Sequence, residues 1–524
     1  MNRRDFLNFL GKGITVSAFA PLLSQVKVIE HVNYSNIKGI KPSNQDEVIL
    51  ADGLKYQVLI SWKDKINKKE RFGFNNDYIA FLPGKKSNEG YLWVNHEYIH
   101  PLFFSAKPNE EKTIEDVKEE MRNVGGSFFK VYKTLKTWKI DLNNKFNQRV
   151  DALDEINFDN DTIIEGSSTA IGTLANCSGG ITPWRTILTC EENYDMFYGE
   201  RNLSNRMISK RSYDVGWTKY FPFPPEHYGW VVEIDPFSGE KRKLISLGRC
   251  AHECATVKIL NDKRLVVYTG DDMENGCLYK FVSASKGDLT KGKLYVASME
   301  NKKWIEISYE KHEPLRKKFK NQTEVLTYLR ESSKLIGGTE LDRPEDIEID
   351  PFNNHVIIAL TNNYSKQDMH GSLLKIIEKD NKHDSLEFEF ETLKSGGIST
   401  GFSCPDNLLF DKVGNLWFTS DISGSKMNKS PEYLPFKNNG LFVLIRNGIQ
   451  SGEIIQVASA PIDAEFTGPC FSPDGKTLFL SVQHPGERSS SINNLTSTWP
   501  NQKGVPKSSV ITIEGELIDK LTSI

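Results

Sequence analysis

Residues 176–193, NCSGGITPWRTILTCEEN, hold the pattern on which this chain is built. A cysteine stands in a glycine-softened stretch, a Thr-Pro-Trp turn follows, and an apolar run ends in Glu191, Glu192 and Asn193. β-Branched residues bounded by Pro and Gly read as a strand, a tight turn and a second strand. Cys177 then lies at the start of one strand, and carboxylates lie at the end of its neighbour. A thiolate beside carboxylates suits a cation of borderline softness. A lone cysteine would more simply be a buried packing residue.

The same layout recurs five more times, each copy adding a third strand after a loop. The first copy is DYIAFLPG (77–84), GYLWVNHEY (90–98) and GGSFFKVYK (125–133). The stretch above, closed by YGWVVEIDP (228–236), is the second; HECATVKIL (252–260), RLVVYTGDD (264–272) and GCLYKFV (276–282) are the third. PEDIEID (344–350), HVIIALTNN (355–363) and GSLLKII (371–377) form the fourth, and PDNLLFD (405–411), NLWFTSD (415–421) and GLFVLI (440–445) the fifth. The sixth is PCFSPD (469–474), TLFLSVQH (477–484) and SSVITI (508–513). Ser-Pro-Asp-Gly at 472–475 and the Asp411, Gly414 and Asn415 cluster supply the residues that tight turns require. The units are longer than the ~40–50 residues of compact propeller repeats, so loop insertions are expected. Six sheets arranged radially remove exposed sheet edges, and the fold class is therefore all-β, a six-bladed β-propeller with helical and loop insertions. YQVLISW at 56–62 is placed to complete the last blade. The longest interruption is about 286–342, where 323–335 has helical spacing and Gly337 follows as a stop.

Composition narrows the function. The 524 residues carry 66 basic and 69 acidic side chains, a near balance that does not point to nucleic acid. No run of about 18 apolar residues is present, so no ordinary membrane span is expected. Seven cysteines (177, 190, 250, 254, 277, 404, 470) are an odd number in a long chain, against a disulfide scaffold. Arg3-Arg4 ahead of Phe6-Leu7, an apolar stretch from 14 to 23, and Ala18-Phe19-Ala20 resemble a twin-arginine export signal over 1–25. Residues 26–524 are then one propeller domain, expected to be monomeric and periplasmic or secreted, with the export machinery as its partner.

The first strand of each blade runs nearest a propeller's axis, so residues at its start converge although distant in sequence. Cys177, Glu253 and Glu345 hold those positions, with Asp406 and either Asn75 or Asp77 in comparable places. The second strands end in Asn95-His96-Glu97, Glu191-Glu192-Asn193, Asp271-Asp272, Asn362-Asn363, Asp421 and Gln483-His484. Any single one of these is an ordinary turn residue. Together they form an oxygen-rich ring whose mutual repulsion calls for cations.

VNHEY (94–98), NCSGGITPW with LTCEEN, GRCAHECA (248–255), YTGDD with LYKFV, DRPED (342–346), CPDNLLFD (404–411) and FTGPCFSPDGKTLFLSVQHPGE (466–487) resemble the PhoX family of secreted alkaline phosphatases. These segments span nearly the whole chain after the export signal. The resemblance implies phosphate-ester hydrolysis, of monoesters first, at a cluster of ferric iron and calcium on the axis. It implies Cys177, Glu253 and Glu345 as iron ligands. As calcium ligands it implies Glu192, Asp271 or Asp272, Asp406 and Asn95, with Glu253 and Glu345 bridging. Arg343 becomes the phosphate-binding arginine. Cys250 and Cys254, flanking His252-Glu253, depart from the expected pattern. No serine stands in a nucleophile elbow. A calcium-only propeller phytase, a lactonase-like hydrolase with one divalent ion, and a non-enzymatic binding propeller are the alternatives, and none of them has a use for Cys177.

Overall fold

Alternating β-branched and aromatic residues between turns produce, among the described residues, six sheets of four to six strands, antiparallel except where Glu155–Phe158 joins Lys241–Leu244 in parallel. The computed structural model describes residues 37–135, 137–209 and 214–522, so the export signal expected at 1–25 lies outside the described residues. The innermost strands are Asn76–Pro83, Asn176–Ile181, Thr256–Ile259, Pro344–Ile349, Pro405–Phe410 and Glu465–Phe471. Each touches the next in sequence, and the sixth touches the first, so the sheets close into a six-bladed propeller.

Closure is made by the segment the sequence singles out. Strand Lys55–Ser61 pairs antiparallel with Ser509–Glu514 as the outer strand of the sixth blade. Just before it, Ile49–Leu50 caps Ile454–Ser459 on the fifth blade. One N-terminal stretch thus ties two blades together. Large apolar side chains fill the seams between sheets, with Trp93, Trp184, Trp230 and Trp417 fully buried.

The interruption at 286–342 is only partly an insertion. Gly292–Ser298 and Lys303–Glu306 are outer strands of the third blade, hidden from the repeat pattern by their distance from its core strands. The helix expected over 323–335 is two pieces, Gln322–Thr327 and Leu329–Leu335, broken at Tyr328 (φ −110°, ψ 55°). The Tyr328 hydroxyl donates to Glu226 Oε1 at 3.1 Å and accepts from Arg206, and these tertiary bonds outweigh helical propensity there. Gly337 stops the second piece in the left-handed region, φ +89°. Leu315 and Leu329 join the core shared by the second and third blades, so the helical segment is packed rather than loose.

Ile60, 1 % exposed, seats the closing strand against Phe479 and Val510. Ile60→Ala is expected to lower unfolding stability by ~2–5 kcal/mol, measured by denaturant titration, and a loss below ~0.5 kcal/mol would show that closure does not depend on this strand's core face.

Candidate metal centre

A regular β-strand alternates its side chains between two faces, which would let few of them point along a propeller axis. The inner strands break that rule at their first residues. Register shifts separate Asn76 from Ile79, Asn176 from Gly179, Pro344 from Ile347, Pro405 from Leu408 and Thr467 from Cys470. A bulge re-aims the side chain it carries, and the four residues so displaced at the axis are Asp77, Cys177, Glu345 and Asp406. Asn75, Ala175, Arg343 and Cys404, each just ahead of such a strand, have φ of 41°, 54°, 53° and 53°. Non-glycine residues there cost on the order of 1 kcal/mol each, and such conformations cluster at functional sites. The third blade delivers Glu253 from a loop instead. Its backbone N–H donates to Gly270 O, and its carbonyl accepts from Ser178 N at 3.1 Å.

These side chains surround a cavity of about 370 Å³ at one end of the axis. Three groups of ligand atoms lie within 4.8 Å of one another: Asp77, Glu97 and Cys177; Cys177, Glu192 and Glu253; and Glu253, Glu345 and Asp406. Cys177 and Glu253 each belong to two groups, so the three positions form a connected row. The Cys177 thiol lies 3.4 Å from both Asp77 Oδ2 and Glu253 Oε1. Two amides space the carboxylates. Gln483 Nε2 donates to Asp77 (3.1 Å) and Glu97 (2.8 Å), and Asn193 Nδ2 donates to Glu97 (2.9 Å) and Glu192 (2.6 Å).

The electrostatics of this cup are those of a site built for cations. Burial, then the neighbouring Glu97, raises Asp77 to about 8. Burial first and adjacent carboxylates second hold Glu192, Glu253, Glu345 and Asp406 well above the usual carboxylate range. The same causes push the Cys177 thiol up. Asp77 Oδ1, Glu253 Oε2, Glu465 Oε2 and Gln483 Oε1 are buried oxygens without a hydrogen-bond donor. Orphaned oxygens of this kind are costly in a protein interior unless a cation takes them up. A donor set of one sulfur and many oxygens fits one borderline ion together with hard ones.

Adjacent acidic residues at strand ends split between axis and periphery. Glu192 faces the cup, whereas Glu191 forms a fully buried pair with Lys243 at 2.6 Å. Asp272 faces the cup, whereas Asp271 pairs with Arg330 at 2.7 Å. Of the two aspartates, Asp272 is the one that lines the cavity. Asn95 is likewise engaged away from the cup. Its Oδ1 accepts from Trp93 Nε1 (2.6 Å) and Thr189 Oγ1 (2.8 Å), and its Nδ2 donates to the carbonyls of Cys177 and Ser178. Asn95 braces the strand that carries Cys177 and has no lone pair left for a cation. Glu97, two residues on, reaches the cup in its place.

Arg343 lies across the rim. Its fork contacts Asp272 at 2.9 and 3.0 Å, Glu345 at 2.8 Å and Asp421 at 3.3 Å. Burial would raise Asp272, but Arg343 outweighs it and holds that carboxyl below its usual range. Cys250 and Cys254 are fully buried among strands behind Glu253 and do not line the cavity. Glu465 and His484 do line it, joined at 3.0 Å. Glu465 escaped the sequence reading because the sixth inner strand begins at Glu465, four residues before the expected Pro469. The apolar-flanked Glu465 ahead of Phe466 was the available signal.

A propeller that only bound a partner would have no reason to bury so many carboxylates around a thiol, and the class is that of metal-dependent hydrolases. The chain belongs to the alkaline phosphatase PhoX family, whose model matches residues 35–486. The solved structure of Pseudomonas fluorescens PhoX in complex with vanadate, a transition-state analogue, is 28% identical with a TM-score of 0.81, covering 93% of this chain and 99% of that one. A Dyadobacter fermentans protein of unknown function (10% identity, TM-score 0.40, 89% and 100% coverage) and a gluconolactonase from Xanthomonas campestris (10%, 0.33, 83% and 97%) are far more distant and bear on no functional point. Comparison with curated proteins gave no match.

A raised carboxyl holds its proton in the folded state after the unfolded chain has lost it, so stability falls as pH climbs between the two pKa values. For Asp77 that window runs from 3.8 to about 8. Cation-free protein is expected to lose stability across it, and Asp77→Asn to flatten the slope and gain on the order of 2 kcal/mol at pH 8. Thermal unfolding in chelator at several pH values tests this; identical slopes in both proteins would contradict it.

Proposed function

We propose that this phosphatase hydrolyses phosphate monoesters at a cluster of ferric iron and calcium, with iron on Cys177, Glu253 and Glu345. Calcium is assigned to Glu192, Asp272 and Asp406, with Glu253 and Glu345 shared and Asp77 and Glu97 completing the oxygen donors. The observation that carries the reading is the connected row of three ligand groups hinged on Cys177 and Glu253. Cations held there supply the positive charge that a phosphoryl transition state needs and acidify an attacking water.

The chain's own residues do the rest. Arg343 now satisfies three carboxylates. Once a cation takes up Glu345, part of its planar fork is free to hold phosphoryl oxygens, while Asp272, with two lone pairs on each oxygen, can serve a cation and still accept from Arg343. Gln483 and Asn193 keep the carboxylates apart by donating to two of them each, which fixes the spacing before any cation arrives. The cavity of about 370 Å³ admits a phosphoryl group with a small alcohol. Ser423 also lines the cavity, with its hydroxyl paired to that of Ser425 at 3.0 Å.

Elemental analysis and absorption spectra test the metal assignment. The protein is expected to contain iron and calcium and to show a thiolate-to-iron charge-transfer band. Cys177→Ser is expected to lose band, iron and activity together, whereas Cys470→Ser, outside the cavity, keeps all three. A colourless, fully active protein with zinc or magnesium as its only metal would overturn it.

Export in folded form is the second part of the reading, supported by Arg3-Arg4 ahead of Phe6-Leu7. Changing both arginines to lysine is expected to leave active precursor in the cytoplasm. Undiminished activity outside it would show that another signal directs export.

A further inference from the structure

We propose that Arg330, on the helix Leu329–Leu335 between the third and fourth blades, is a positioning residue that sets the orientation of Arg343 through the Asp271-Asp272 strand end. The proposal rests on the reading of Arg343 as the group that holds the phosphoryl oxygens.

Asp271 and Asp272 are adjacent just past the end of strand Leu265–Gly270, and their side chains go to different partners. Each meets an arginine from a different element. Asp272 receives Arg343 from the fourth blade at 2.9 and 3.0 Å. Asp271 receives Arg330 from the helical segment through three contacts, Nε to Oδ1 at 2.9 Å, Nε to Oδ2 at 2.8 Å and Nη2 to Oδ1 at 2.7 Å. The Asp271 carboxylate is 1 % exposed, so it depends on that partner.

Asp271 also ties down the loop that carries Glu253. Its Oδ1 accepts from Ala251 N at 3.0 Å, and Asp272 N donates to Ala251 O at 2.9 Å. His252 bridges to Asp271 through the backbone, and its ring is fixed between Thr269 Oγ1 (2.8 Å) and Gly248 O (2.9 Å). One carboxylate thus anchors both the partner of Arg343 and the approach to Glu253.

The helix bearing Arg330 is a firm support. Leu329 is fully buried, Tyr328 is bonded to Glu226, and Ser332 Oγ donates to Val325 O at 3.0 Å. Arg330 itself does not line the cavity, so its influence on substrate passes through Asp271. Misplacing a positioned group by ~1 Å can cost ~10²-fold in rate, and the peptide link between Asp271 and Asp272 transmits a shift directly.

The test uses the cation-loaded full chain and reads the inhibition constant of inorganic phosphate, with kcat and KM for an aryl phosphate and the unfolding midpoint. Arg330→Met is expected to raise the phosphate inhibition constant ~10-fold or more. Arg330→Lys should restore part of it, since one ammonium cannot reproduce the fork. Asp271→Asn, which keeps the oxygen facing Ala251, should give the same shift without removing the long side chain. In an Arg343→Ala background, Arg330→Met should add nothing further. A scaffold role predicts a lowered midpoint with phosphate affinity unchanged, or effects additive with Arg343→Ala, and either result overturns the proposal alone. If Arg343→Ala itself leaves phosphate affinity unchanged, the reading of Arg343 falls and the proposal with it.

Discussion

Repulsion among buried carboxylates at the axis is the constraint around which this molecule is arranged. Two like charges about 4 Å apart oppose each other by ~4 kcal/mol at the effective dielectric of a protein, and Glu192, Glu253, Glu345 and Asp406 share one cup. Such a centre cannot stabilise the fold while empty. Stability must come from elsewhere, and it does, from the aromatic seams between blades and from the closing strand Lys55–Ser61. Those rigid sheets hold the acidic groups where free chains would separate them. Protons or cations then decide how much of the strain remains.

The device that reaches the axis is local and repeated. A bulge at the start of an inner strand, preceded in four blades by a residue with left-handed backbone, turns a side chain inward without disturbing the strand beyond it. Gly180 shows how little room remains, because a Cβ there would lie 2.0 Å from Ala255 O on the next blade. The blade therefore keeps its register and its hydrophobic seam while one residue serves chemistry.

The acidic pairs show a second use of the same alternation. Glu191-Glu192 and Asp271-Asp272 each send one carboxylate to the cup and its neighbour to a cationic side chain outside it, the buried Lys243 or the partly exposed Arg330. Charge that looks redundant in sequence is divided between binding and bracing. The helical segment after the third blade, which contributes Arg330, is in this way tied to the site although it lies off the propeller plan.

The sequence by itself determined six strand units and their order, and placed the start of four inner strands within a residue, because strand periodicity and turn residues are local properties; the third and sixth begin four residues away from the expected places. It also singled out Cys177, Glu345 and Asp406, since their places at strand starts follow from the repeat, and Glu253, which lies in the loop just ahead of its strand. Only the tertiary structure decided which member of each acidic pair faces the axis, because a shift of one residue in register exchanges the two faces. It likewise showed Asn95 engaged by Trp93 on its own strand and Thr189 on the next blade, and Asp271 engaged by Arg330 from the helical segment. It added Glu97 and Glu465, and it recovered two outer strands of the third blade from the presumed insertion. These depend on contacts between residues far apart in the chain, and no local pattern records them.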